Sequence, residues 1–231
     1  MRHIENYADE RNRDSCIHCG GSLETRDHVP SRVFLDEPYP DNLPLLPCCL
    51  SCNRSFSLDE EYLACLVEVA KAGSLERAAA ARSKIARIFV HTPQLAQRLS
   101  SARYETSAGI NWKPEEERVR KIVLKLARGH LAYELNESRR DEPARIGVAP
   151  LFMMAEDARQ AFEELRHDDG LSSWPEVGSR AMSRIAVGSA DGYPWIVVQP
   201  SQYRYLVSPD ACYVRLVIAE YLAAEIEWPY S

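Results

Sequence analysis

No run of apolar residues in this chain reaches the ~18 needed to cross a bilayer as a helix, which excludes a helical membrane protein. The first ten residues, MRHIENYADE, are polar and acidic where a secretory leader would carry an apolar core, so a cytoplasmic protein is expected. No internal repeat and no low-complexity segment is present, which removes solenoids and disordered tracts from consideration. Positive charge is short: 28 Lys and Arg stand against 34 Asp and Glu, a net charge of −6 that argues against a uniformly basic nucleic-acid binder. An even cysteine count is also lacking. Seven cysteines cannot all pair, and four fall at metal-ligand spacing, so a secreted disulfide scaffold is not expected. What remains is an ordinary globular composition, 45% hydrophobic and 27% charged, over 231 residues.

The charge is unevenly spread. Residues 1–70 sum to −7, residues 71–140 to +8, and residues 141–231 to −7. A basic middle between acidic ends can hold a phosphate backbone while the whole chain stays acidic. The same charges also suit a solvated helical face.

The texture divides the chain at about residues 72 and 142. Residues 15–53 are rich in Cys, Pro, Gly and Asp with only short apolar runs, which suits strands and turns held by a metal. Ser57-Leu58-Asp59-Glu60 has capping-box form, predicting a helix from about Leu58 to Lys71. Further helices are predicted over residues 75–90, from Pro93 to about Leu99, and from Pro114 through Leu135. In the last, Val119, Ile122, Val123, Leu126 and Leu131 form a stripe opposed by Arg118, Lys121, Lys125 and Arg128. Beyond residue 142, one amphipathic helix (155–166) precedes strand-like runs at 184–187, 195–199, 203–208 and 213–219. The predicted fold class is α+β: a zinc-stapled module over 1–72, a basic helical region over 73–142, and a small α+β unit with an antiparallel sheet over 143–231. The aromatics Trp195, Tyr203, Tyr205 and Tyr213 sit at strand spacing and read as core or interface. His130 and His91 read as structural.

Cys16-Ile17-His18-Cys19 and Cys49-Leu50-Ser51-Cys52 form a CxxC…CxxC array with 29 residues between the pairs. Two residues between thiolates let both sulfurs reach one tetrahedral Zn²⁺, and two such knuckles close a structural four-cysteine site. Cys48 competes with Cys49, but only Cys49 keeps the two-residue spacing to Cys52. Cys65 and Cys212 read as small apolar core residues, and His18 as pointing outward from its knuckle.

Between and beside the knuckles lie Arg26-Asp27-His28-Val29-Pro30, Asp41-Asn42-Leu43 and, directly after Cys52, Asn53. The order CIHCG, RDHVP, DNLPLL, CLSCN resembles the HNH, or ββα-metal, endonuclease family over residues 15–72. The resemblance implies a strand ending in Asp-His, a second strand, and a helix opening at CxxC-Asn. It further implies that Asp27 and Asn53 bind a catalytic Mg²⁺ or Mn²⁺, that His28 is the general base, and that Asn42 orients the catalytic His or braces its loop. The chemistry is consistent. An imidazole with an ordinary pKa near ~6.5 can deprotonate water at neutral pH, and hard oxygen donors suit a hard ion.

The expected activity is therefore metal-dependent hydrolysis of phosphodiester bonds in DNA, with RNA as an alternative substrate. The expected nucleic-acid contacts are Lys121, Lys125, Arg128 and Arg54. The family analogy suggests microbial defence or mobile elements, and the C-terminal unit is a candidate for homodimerisation. The rival reading is a non-catalytic zinc ribbon that binds nucleic acid or a protein.

Overall fold

The computed structural model describes residues 14–107, 109–166, 179–182, 195–208 and 210–229. It is a mixed α+β structure with helices and a five-stranded antiparallel sheet. Among the described residues, no helix is long and apolar enough to cross a membrane. Two compact units emerge: residues 1–54 with 123–231, and residues 55–122. This partition differs from the boundaries expected at 72 and 142, because two long helices each contribute to both units.

The first unit begins with strand β1 (Thr25–His28) and strand β2 (Leu45–Cys48), paired antiparallel from Thr25↔Cys48 to His28↔Leu45. Pro47 is tolerated in β2 because a two-stranded ladder leaves outer positions unpaired. Its carbonyl accepts instead from the backbone N–H of Ile17 at 3.1 Å. Helix α1 (Leu50–Ala72) follows at once. It starts eight residues before the sequence-based helix start, because the second knuckle is itself its first turn. Ser57 and Glu60 thus lie inside the helix rather than capping it. The first-turn N–H of Leu50 is satisfied from a distance by the Glu24 carboxylate at 2.9 Å, an anion at the positive end of the dipole.

Residues 55–122 form the second unit. The single helix expected over 75–90 is two, α2 (Leu75–Ala81) and α3 (Ser83–His91), broken at Arg82, which adopts extended backbone angles. The guanidinium of Arg82 is buried on Glu68 at 3.0 Å. Ser74 caps α2 by accepting from Arg77 N–H. Helix α4 (Pro93–Ser101) and a hairpin of β3 (Arg103–Thr106) and β4 (Gly109–Trp112) lead to α5 (Glu116–Leu135). The hairpin went unpredicted; its strands are short and mostly exposed, so no apolar alternation marks them.

The second half of α5 returns to the first unit and is buried almost all round from Ile122 to Leu135. The sheet there runs β5 (Arg145–Pro150), β9 (Leu222–Glu227), β8 (Tyr213–Ile218), β7 (Tyr203–Val207), β6 (Ile196–Gln199), all antiparallel. Strands β6, β7 and β8 lie where expected, and the 200–202 turn joins the first two. The strand expected over 184–187 lies outside the described residues. Strand β9 went unpredicted because Leu-Ala-Ala-Glu-Ile-Glu reads as helix former by composition; β5 carries Gly147, which weakens a strand, and Pro150, which its place at the sheet edge tolerates. Strand β8 is buried on both faces. On one face His130 of α5 hydrogen-bonds Tyr203 Oη at 2.8 Å and stacks on Tyr205, whose hydroxyl donates to Glu134. On the other, helix α6 (Glu156–Glu163) supplies Phe162 against Val217 and Ala223, and Arg215 donates to the carbonyls of Phe162 and Glu164. Tyr203, Tyr205 and Tyr213 are therefore core, and His130 is structural.

Helix α5 also presses on the hairpin loop. A Cβ on Gly129 would lie 2.7 Å from Val29 Cγ2, and Val29 is fully buried with its N–H fixed to Pro44 O. Gly129→Ala is predicted to destabilise the fold by ~1 kcal/mol, the overpacking cost outweighing the helix-propensity gain. The urea midpoint should fall, and Val29→Ala in the same chain should restore part of it. A midpoint above wild type would show that α5 can back away from Val29.

Candidate metal centre and its surroundings

The two knuckles close on each other. The sulfurs of Cys16, Cys19, Cys49 and Cys52 all lie within 4.8 Å of one another. Cys19 Sγ and Cys49 Sγ are 3.7 Å apart. A tetrahedral ion with Zn–S bonds of ~2.3 Å requires edges of ~3.8 Å, so the four thiols fit one zinc ion. The fit has local causes. Gly20, at φ +78°, lets the first knuckle fold back so that Cys16 N–H reaches Gly21 O at 2.7 Å and Gly20 N–H reaches Cys16 O at 2.8 Å. Backbone N–H groups of Gly21 and Cys52 donate to the sulfurs of Cys19 and Cys49 at 3.4 and 3.3 Å, which orients both sulfurs within their knuckles. Burial opposes ionisation of Cys16, yet backbone donors from Cys49, Cys19 and His18 outweigh it and bring its thiol down to about 7.

Cys48 stands outside this set, as its spacing implied. It groups instead with His18 and Asp27, whose ligand atoms also lie within 4.8 Å of one another, all three buried. His18 therefore does not point outward from its knuckle. It turns inward because its neighbours are Ile17, in the Val29–Leu46–Ala132 cluster, and the buried Cys16. Burial, reinforced by the Lys125 and Arg128 charges, brings its imidazole down to about 3, so it is neutral.

Asp27 and His28 take opposite faces of β1, as strand alternation demands. Asp27 is buried and His28 half-buried; Arg26, on the His28 side, is exposed. Helix α1 brings Asn53 to the hairpin: its Nδ2 donates to Arg26 O and Thr25 Oγ1, each at 3.4 Å. Thr25 and Asp27 share a face, so Asn53 is on the Asp27 side. Asn42 sits exposed in the turn before β2, at the same end of the hairpin as His28.

Asp27 is not alone on its face. Lys125 Nζ approaches its Oδ2 at 2.6 Å and donates to Ser31 Oγ at 2.8 Å. Lys125 is 2% exposed, so its expected contact with nucleic acid is corrected: a phosphate backbone cannot reach it. The amphipathic stripe misled because this half of α5 is packed on every side. Arg128 is likewise committed, donating to the carbonyls of Arg140 and Asp141 at 3.0 and 2.8 Å. Lys121, in the other unit, holds Asp59 at 2.8 Å and Ser55 O at 2.6 Å. Of the four cations expected to grip nucleic acid, Arg54 is the one on an exposed surface position. Against a hard divalent ion the fit is poor, because the Asp27 carboxylate is already neutralised by an ammonium group. The pair expected to hold Mg²⁺ or Mn²⁺ does not fit that ion in this arrangement.

Compared with known proteins, the chain matches no family model, no curated protein and no solved structure. Its family is not shown, and the four-cysteine cluster is the part of the expected module that geometry supports directly.

Purified protein is predicted to carry one zinc per chain by atomic absorption. Cys49→Ser should lose it and bring cooperative unfolding of the hairpin to lower temperature, because metal-binding free energy is folding free energy at such sites. Full zinc occupancy in Cys49→Ser would remove the four-thiolate assignment.

Proposed function

We propose that residues 15–72 form an HNH-like endonuclease module that hydrolyses phosphodiester bonds in DNA, with His28 as the general base. The observation that carries this reading is the junction of helix and hairpin. Asn53, in the first turn of α1, hydrogen-bonds β1 at Arg26, two residues from His28. The family resemblance calls for a helix opening at CxxC-Asn against a strand ending in Asp-His; here Asn53, 25 positions after His28, meets that strand on its Asp27 side, while His28 takes the other face. The four-cysteine cluster holds that junction from the other side.

In this reading His28, half-buried at the loop end of the hairpin, takes a proton from the attacking water. In-line attack leaves a 5′-phosphate and a 3′-hydroxyl. Asn42, exposed at the same end, braces the loop that faces the substrate. The phosphate grip moves from the α5 face to the exposed arginines of the module, Arg26 on the His28 face of β1 and Arg54 beside Asn53. A dependence on Mg²⁺ or Mn²⁺ belongs to the reading through the resemblance. Asp27, paired with Lys125, does not fit such an ion. One such module cuts one strand at a time, so a double-strand break calls for two copies. Homodimerisation through the sheet-bearing unit is part of the proposal.

The second reading, a zinc ribbon that binds without cutting, is favoured by one observation: the Asp27 carboxylate is spent on Lys125. Nicking of supercoiled plasmid separates the two. His28→Ala should lower the rate by at least ~10²-fold, the usual contribution of a positioned general base. RNA in place of plasmid tests the alternative substrate. Equal rates for wild type and His28→Ala would leave the binding module standing.

A further inference from the structure

The family resemblance gives Asp27 to a hydrolytic ion, and the geometry disagrees. We infer that Asp27 is the counter-ion of the buried Lys125 and that the Asp27–Lys125–Ser31 clamp is the positioning device for His28. Its consequence for catalysis rests on the nuclease reading above; the clamp itself does not.

The Lys125 side chain is 1% exposed and that of Asp27 11%, so each charge has lost most of its water. A desolvated ammonium 2.6 Å from a desolvated carboxylate is a pair whose members need each other, and removing either strands a buried charge. The same ammonium donates to Ser31 Oγ at 2.8 Å. Asp27 and Ser31 bracket His28-Val29-Pro30, so a single Nζ holds the chain on both sides of the imidazole. One turn further along α5, Gly129 lets the helix backbone lie against Val29, the residue after His28. Helix α5 therefore grips this short segment at three points, Asp27, Val29 and Ser31, and leaves His28 on the opposite face of β1. Residues 116–135 lie outside the stretch that resembles the nuclease module, so a helix from elsewhere in the chain sets the position of its proposed base.

The same pair explains the buried trio of His18, Asp27 and Cys48. Imidazole, carboxylate and thiol within 4.8 Å are a set that a borderline ion such as Zn²⁺ would accept. A second cation there would face the Lys125 ammonium across the shared Asp27 carboxylate. The positive charge of this trio is Lys125.

The test compares Asp27→Asn, Lys125→Met and the double variant by thermal melting and by plasmid nicking across a Mg²⁺ titration. The imidazole resonances of His28 are followed by NMR. For a counter-ion pair, each single variant lowers the melting temperature by roughly 10 °C and shifts the His28 resonances. The double variant recovers most of both losses, and its nicking rate rises above that of Asp27→Asn. A metal ligand behaves otherwise: the double variant is as inactive as Asp27→Asn, and Lys125→Met lowers the Mg²⁺ concentration for half-maximal nicking. That result overturns the inference, as does strict additivity of the two melting shifts. If neither single variant folds, folding of the double variant supports the pair, and its failure to fold overturns it. A wild type that never nicks plasmid removes the nuclease reading and leaves the melting coupling to be judged separately.

Discussion

Four thiolates converging on one tetrahedral point impose a distance constraint that a small hairpin could not maintain by packing. Cys16 and Cys19 stand before β1, while Cys49 and Cys52 stand after β2, so an ion bound by all four clamps the outer ends of the two strands together. It also fixes the direction of α1, because Cys52 lies in the first turn of that helix. Everything at the junction follows from this. Asn53 comes next in the same turn, and the hydrogen bonds from its amide to Thr25 and Arg26 are available only with the helix held at that angle. His18 belongs to the same frame: it lies between the two committed cysteines Cys16 and Cys19 and groups with Asp27 and Cys48.

A second constraint comes from the far side of the hairpin and is electrostatic. The buried half of α5 brings a lysine into a place where water cannot follow, and the cost is offset by a carboxylate of β1 and a hydroxyl from the loop after it. The same half-helix carries His130 and Glu134 to the tyrosines of β7. One helix thus packs simultaneously against the metal-bearing hairpin and against the five-stranded sheet, within one compact unit. Gln199 at the end of β6 adds a direct tie, exchanging hydrogen bonds with the backbone of Asp36 at 2.8 and 3.0 Å. The C-terminal sheet is thereby an integral support of the hairpin loop, whatever further task it serves.

The basic middle of the chain illustrates how charge counts mislead. Its excess of positive residues reads as a phosphate-binding face. In the folded protein Lys125 neutralises Asp27, Lys121 and Arg118 converge on Asp59, Arg82 pairs with Glu68, and Arg128 satisfies backbone carbonyls. Those cations are internal ties, and their carboxylate partners come from acidic stretches elsewhere in the sequence. Net charge along a chain reports composition, whereas binding depends on which charges are left facing water.

Local chemistry was legible without coordinates wherever its spacing is set by covalent geometry. Two CxxC pairs can reach one ion because two residues are what a knuckle needs; β7 and β8 announce themselves by β-branched and aromatic runs; Pro93 opens a helix because its φ is already helical. The start of α1 escaped the capping-box pattern, though the resemblance already implied a helix opening at CxxC-Asn. Tertiary structure alone decided the rest. Strand β9 depended on neighbours that override its helical composition, and the break at Arg82 coincides with its ion pair to Glu68. The roles of Asp27 and Lys125 depended on each other across almost a hundred residues, because a charge's function is set by the partner and the dielectric around it. Neither is written in the local sequence.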